Sequence, residues 1–175
     1  MIIETERLLI RVLNPDDATP FIEMASDGSL NDVGFTTDCK RWMTDWIKEA
    51  KKLTDIDNPT LEYLAYAIET KEDKQVIGSV GCSYYEDIRE IGITYFIGAK
   101  HRRKGYAVEA VSAYVKYFSV HYGTDKLIAT IKDTNKPSWK VAEKVGFTLS
   151  EKKMYKDIND EKPELYRFYE KQTKI

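Results

Sequence analysis

Three cations and a glycine, Arg102-Arg103-Lys104-Gly105, lead through Tyr106 to Ala107, between a strand-like run, Ile91 to Ile97, and a long amphipathic pattern, Val108 to Val120. Residues of these types in this order make an anion cradle. A chain that leaves a strand and enters a helix exposes the first helical N–H groups, which lack intrahelical partners and point at whatever lies in front of the helix. The aligned peptide dipoles add roughly half a positive charge at that end, and adjacent cations add more. Gly105 lets a phosphate reach the backbone with no side chain between them, and Ala107 keeps the next contact small. The implied chemistry is the binding of a phosphate or diphosphate. Gly-x-Gly-x-x-Gly does not occur, and no Gly-Lys-Ser/Thr follows a glycine-rich run, so neither a dinucleotide fold nor a P-loop is predicted.

A cradle of this kind needs a sheet and helices to hold it. Glu6 to Leu13 reads as a first strand with Leu8, Ile10 and Val12 on one face. Asn14 is placed as a helix cap with Pro15 at the first helical position, and that helix should end near Asp27-Gly28. Thr37 or Asp38 opens a second helix, in which Trp42, Met43, Trp46, Ile47 and Ala50 recur at helical spacing before a break by Asp57-Asn58-Pro59. The runs Leu61 to Glu69, Gln75 to Tyr85 and Arg89 to Gly98 are joined by short polar turns, which implies antiparallel neighbours. The helix after Gly105 places Ala110, Val111, Tyr114, Val115 and Phe118 on one face and ends at Gly123. Lys126 to Ile131 is a strand, Pro137 or Ser138 to Lys144 a compact helix, and Thr148 to Met154 and Leu165 to Tyr169 are two further strands flanking a charged turn. The crossing from the fourth of these strands to the fifth is a right-handed parallel unit in an otherwise antiparallel sheet.

Composition narrows the class. A chain of 175 residues with 42% hydrophobic residues suits one domain. Its 27 basic and 29 acidic residues leave a formal net charge of -2, so bulk electrostatics predicts neither nucleic-acid nor membrane binding, and an anion site must be a local cluster. No apolar run approaches the roughly 18 to 20 residues that span a bilayer, and the opening Met1-Ile2-Ile3-Glu4-Thr5-Glu6-Arg7 lacks the order of a signal peptide. A cytoplasmic protein is the default. Cys39 and Cys82 stand apart from one another and from His101 and His121, so no metal site or disulfide is predicted and both cysteines read as small apolar fillers.

Arg102-x-x-Gly105-x-Ala107 resembles the coenzyme A loop of the GNAT N-acetyltransferases, Gln/Arg-x-x-Gly-x-Gly/Ala. A second stretch, Asn135-Lys136-Pro137-Ser138 through Glu143-Lys144-Val145-Gly146-Phe147, is similar to a later signature of the same superfamily. In particular it resembles the branch that includes ribosomal-protein N-terminal acetyltransferases, where Asn-x-x-Ser opens a helix and Glu-Lys-x-Gly-Phe closes it. Thr5-Glu6-Arg7-Leu8 is placed like that branch's opening Thr-x-Arg-Leu.

The resemblance implies the GNAT fold over one domain, residues 1–175: mixed α/β, a twisted, mostly antiparallel sheet of about seven strands with a splayed parallel pair, and about four helices. It also implies acetyl-CoA as co-substrate without a metal, and direct transfer to a primary amine, either a protein N-terminus or a small amine. Arg102, Arg103, Lys104, Gly105, Tyr106 and Ala107 would hold the coenzyme, with main-chain donors from Phe96, Ile97 and Gly98. Asn135 would bind a pantetheine amide or cap its helix. Ser138 would meet the leaving thiolate or serve as a helix-start hydroxyl. Many members carry a tyrosine where Ala142 stands, so that acid is excluded. Glu90 is the candidate base, although counting back from Gly105 puts the family's glutamate at Gly92, and strand alternation puts the two on one face. Trp42, Trp46, Tyr84 and Tyr85 are candidates for an acceptor pocket. Glu109 complements a helix N-terminus and His121 a helix C-terminus. A non-catalytic acyl-CoA-binding regulator is the alternative, and monomer and homodimer are both admissible.

Overall fold

The structure is a computed structural model that describes residues 1–173. Its strands are β1 (Ile2–Glu4), β2 (Leu8–Val12), β3 (Tyr63–Thr70), β4 (Val76–Tyr85), β5 (Glu90–Ile97), β6 (Lys126–Lys132), β7 (Thr148–Tyr155) and β8 (Glu164–Gln172). Its α-helices are α1 (Ala18–Ala25), α2 (Met43–Ile56), α3 (Tyr106–Tyr122) and α4 (Lys136–Val145). The strands form one sheet in the order β1-β2-β3-β4-β5-β6-β8-β7. Every neighbouring pair is antiparallel except β5 with β6.

Alternation along the strands builds a core on each face. Leu64, Tyr66 and Ile68 of β3 join Tyr114 and Phe118 of α3 and Ala142 of α4 in one cluster, while Ala65 and Ala67 join Phe21 of α1 and Met43, Ile47 and Ala50 of α2 in the other. The small residues of β3 leave room for the larger side chains of α1 and α2. Cys39 and Cys82 are fully buried, one in each cluster, and free.

The structure departs from the sequence reading in three places. The sheet has eight strands where seven were read, because Ile2–Glu4 is too short to show a period yet pairs antiparallel with β2, Ile3 opposite Ile10. The second helix begins at Met43, later than Thr37 or Asp38, because burial of Cys39 holds a separate 3-10 turn at Cys39–Arg41, and Trp42, with φ -129°, stands between the turn and the helix. Asn14 and Pro15 start a 3-10 turn, with Asn14 and Asp17 forming a reciprocal capping box, before α1 continues from Ala18.

The pairing of β5 with β6 positions everything that follows. The two strands meet at one position, Gly92 opposite Ile128, and diverge beyond it. A parallel pair that splays stops satisfying the backbone groups along its facing edges, and those groups then need another partner.

Candidate active site

The end of β5 runs into the basic loop. Gly98 N–H donates to the Ile77 carbonyl at 2.9 Å, and Ile97 lies opposite Gly78. Groups on an antiparallel strand alternate between its two edges, so Gly98 and Phe96 turn their main-chain groups toward β4 and Ile97 turns its own toward the splayed edge. Of the three residues proposed as main-chain donors, Ile97 is therefore the one aimed into the opening. Its carbonyl accepts from Arg102 Nε at 2.8 Å, and Arg102 Nη2 donates to the Ser29 carbonyl at 3.1 Å. The Arg102 side chain thus braces the loop rather than standing free in front of it. Arg103 and Lys104 are exposed. Gly105 caps α3 in the left-handed region, φ 84°, and Tyr106 and Ala107 are the first two helical residues. Partial burial, followed by the nearby Lys104, pushes the His101 imidazole below its usual range, so its ring is neutral at neutral pH and supplies no fixed charge to the loop.

Across the split, Asn135 Oδ1 accepts from Ser138 N–H at 3.3 Å and so caps α4. The Ser138 hydroxyl donates to Tyr95 Oη at 3.1 Å, and Tyr95 Oη donates to the Ser138 carbonyl at 2.8 Å. This reciprocal pair ties β5 to the start of α4 where the sheet itself does not. Burial pushes the Tyr95 phenol up to about 12, so it stays protonated and remains a donor at neutral pH. Tyr95→Phe removes both bonds, and we expect a stability loss of about 1 to 2 kcal/mol, a fall in melting temperature of about 2 to 8 °C for a chain of this size. An unchanged thermal melt would show that the phenol does not hold the split.

A cleft of about 830 Å³ passes through this opening, bounded by Thr94, Tyr95 and Phe96 on one side and Thr130, Ile131 and Lys132 on the other, with Asn135 and Ser138 at its edge. Trp46, Tyr84 and Tyr85 also line it. Trp42 packs instead on Phe35, with ring centroids 5.7 Å apart. A Cβ on Gly92 would lie 2.5 Å from the Tyr85 ring, so glycine is required for Tyr85 to cover the last paired position. Thr130 Oγ1 then donates to Tyr85 Oη at 3.0 Å across the divergence.

Glu90 is placed elsewhere. It shares a face with Gly92, as alternation predicts, but its carboxylate forms an ion pair with Lys126, which Glu170 approaches at 3.7 Å. Among the described residues lining the cleft, Glu90 does not appear.

A carboxylate that sequence reading passed over does line it. Asp157 sits in the turn between β7 and β8, a segment that reads as a plain charged turn. Its N–H donates to Asp160 Oδ2 at 3.1 Å, and Asp160 N–H returns a bond to the Asp157 carbonyl at 3.0 Å. Asp160 is 2% exposed at its side chain and also receives Tyr166 Oη and Lys132 Nζ, each at 2.7 Å, so a buried hub fixes the turn. Burial pushes the Asp157 carboxyl above the usual range, and the charges of Asp160 and Asp87 add to that. For Asp160 burial acts upward too, but Lys132 and Tyr166 outweigh it and hold its carboxyl low. Two neighbouring carboxyls driven in opposite directions are the arrangement that separates a proton acceptor from a structural anion.

Glu86 and Asp87, in the turn between β4 and β5, lie on the cleft with Glu62 and Asp32. Among the described residues Lys132 and Lys156 are the cations on the cleft, and Lys132 is occupied by Asp160, Glu164 at 3.1 Å and Asp32 at 3.6 Å. His121 Nε2 lies 2.7 Å from Asp57 Oδ2, linking the end of α3 to the end of α2, away from the cleft. Among the described residues no group of three or more His, Cys, Asp or Glu could hold a metal ion, and no helix is long and apolar enough to cross a membrane.

Known proteins resemble this chain in architecture and, more distantly, in sequence. The chain is 25% identical over 161 residues to the uncharacterized N-acetyltransferase YjdG of Bacillus subtilis, covering 87% of this chain and 92% of that one. Its fold is similar to the ribosomal-protein-S5-alanine acetyltransferase of Vibrio fischeri, with a TM-score of 0.78, 17% identity, and coverage of 99% of this chain and 97% of the other. It is also similar to RimL, the ribosomal L7/L12 alpha-N-protein acetyltransferase solved with coenzyme A, with a TM-score of 0.81, 12% identity and coverage of 98% of each chain. Residues 7–148 match the model of the acetyltransferase (GNAT) domain, so the basic loop, the split strands and the capped α4 belong to a chain of the GNAT family of N-acetyltransferases.

Proposed function

We propose that this chain transfers an acetyl group from acetyl-CoA directly to a primary amine, with the coenzyme along the split between β5 and β6. The observation that carries the reading is the split itself, which opens beside a helix N-terminus fronted by Arg103, Lys104 and Gly105. A helix start of this kind suits a diphosphate, and the unpaired strand edges suit a ligand with its own amides. RimL, with which the fold is shared, was solved with coenzyme A. The coenzyme supplies the acetyl group, and the chain supplies position and proton handling. Ile97 N–H is the main-chain donor aimed into the split. To meet the departing sulfur, the Ser138 hydroxyl turns its one proton away from Tyr95 Oη and hydrogen-bonds the coenzyme A thiolate as it leaves. Asp157 takes the proton from the amine, and its raised pKa brings it nearer to the range in which a base works at neutral pH.

The acceptor carries a second positive charge in this reading, because Asp32, Glu62, Glu86, Asp87 and Asp157 on the cleft outnumber its cations, Lys156 and the already occupied Lys132. A panel of primary amines with acetyl-CoA, followed by thiol release, tests both levels. Diamines should exceed monoamines of equal length in kcat/KM, and the margin should shrink with salt. Glu86→Gln with Asp87→Asn should cut that margin about two- to fivefold per charge, the scale of exposed ion pairs. Coenzyme binding without thiol release across the panel would refute acetyl transfer, and a monoamine preference would refute the cationic acceptor.

A further inference from the structure

The outer side of the coenzyme loop is held from a distant part of the chain. Arg7, 97 residues before Lys104, donates through Nη1 to the Lys104 carbonyl at 2.9 Å. Its Nε and Nη2 each reach Glu109 Oε2 at 2.7 Å, its own N–H donates to Glu109 Oε1 at 2.9 Å, and the Thr5 hydroxyl donates to the same oxygen at 2.6 Å. The guanidinium carbon also lies 4.7 Å from the centroid of the Tyr106 ring. Burial acts to raise the Glu109 carboxyl, but Thr5 and Arg7 outweigh it and hold it below the usual range, so it is ionised at neutral pH. Thr5 is fixed in turn by accepting from Leu8 N–H at 2.9 Å, the first residue of β2.

We infer that Arg7 is a positioning residue for coenzyme binding: with Glu109 and Thr5 it clamps the Lys104–Tyr106 segment in its binding shape, a role that rests on assigning the coenzyme to this loop. The loop needs such a clamp. Arg103 has φ 63° and Gly105 φ 84°, and the first is a left-handed conformation that an L side chain disfavours. Arg102 ties the inner side to Ile97 and Ser29, and Arg7 is the side chain that holds the Lys104 carbonyl on the outer side. Glu109 neutralises the Arg7 guanidinium, so what Arg7 contributes is geometry, and Arg103 and Lys104 remain for the anion. If loss of the clamp lets the loop occupy its binding shape about one time in ten, the apparent Kd rises about tenfold.

The sign of one substitution separates this role from simple charge. Glu109→Gln removes a negative charge beside an anion site, which electrostatics alone would turn into tighter binding; the clamp makes it weaker. We expect Arg7→Gln and Glu109→Gln each to raise the calorimetric Kd for coenzyme A about tenfold, the double variant to lose little more than either, and kcat at saturating acetyl-CoA to stay near the parent value. Arg7→Lys, which keeps the charge but not the fork, should resemble Arg7→Gln. Losses should be equal for coenzyme A and 3′-dephospho-coenzyme A. Circular dichroism melts confirm that each variant is folded at the assay temperature. Unchanged or tighter binding by Glu109→Gln, or full rescue by Arg7→Lys, would overturn the clamp. So would an Arg7→Gln loss confined to the ligand with the 3′-phosphate. A parent protein that binds no coenzyme A would instead remove the loop assignment beneath it.

Discussion

Gly105→Val should abolish measurable coenzyme A binding, weakening it at least about 100-fold, equivalent to about 2.7 kcal/mol. Two effects act together. At φ 84° a β-branched residue is strained by about 1 to 2 kcal/mol, and its Cβ would lie 3.2 Å from Arg7 Nη2, with two further methyl groups in front of the helix N-terminus. The strain alone should lower the melting temperature by about 2 to 8 °C. Gly105→Ala separates the two effects, since it has the left-handed strain without the added bulk. It should melt much like the valine variant yet bind the coenzyme measurably better. Calorimetry on both, alongside thermal melts, checks this, and parent-like affinity in Gly105→Val would exclude the loop as the phosphate site.

Asp157→Asn should lower kcat by roughly 100- to 1000-fold, the usual contribution of a general base, while leaving the protein as stable as the parent or more so at neutral pH. The opposite signs follow from one fact. Burial, with the charges of Asp160 and Asp87, holds the folded-state pKa of Asp157 above its unfolded value, while the Ile158 N–H and Lys132 oppose the shift. The folded state therefore binds the proton more tightly than the unfolded state, and stability falls as pH rises through the interval between the two values. At neutral pH the ionised carboxylate is a net cost to the fold, which asparagine relieves without changing shape. The same shift places the acid limb of the kcat/KM profile above the ordinary carboxylate value of about 4, and Asp157→Asn should erase that limb. A melting temperature that falls along with activity would mean that Asp157 holds the turn; unchanged activity would remove it from proton transfer.

The basic loop and the start of α4 were legible in sequence because their parts are local. Arg102 to Ala107, Asn135 and Ser138 sit within a turn of the helices they introduce, and caps, glycines and cation runs keep their meaning without knowledge of the rest of the fold. The carboxylates around the cleft were not, because their properties come from packing between distant segments. Glu90 lies on the face that alternation assigns, yet Lys126 of β6 takes its carboxylate. Asp157 looks like any turn aspartate until Asp160, Lys132 and Tyr166 are brought around it. Arg7 reads as the edge of a first strand, and its hold on Lys104 appears only once β2 lies beside the start of α3.

The position of β8 has a consequence for synthesis. This strand, Glu164–Gln172, is inserted between β6 and β7, pairing Thr130 with Phe168 and Lys153 with Tyr166. Strands pair only after both have emerged, and contacts of long sequence separation form late. On the ribosome the nascent chain can build β1 to β5, α1 to α3 and the basic loop while the outer flank of β6 is still bare. Until residue 172 has cleared the exit tunnel, β7 has no neighbour and the Asp160 hub no Tyr166, so the chain acquires its basic loop before the buried turn that carries Asp157.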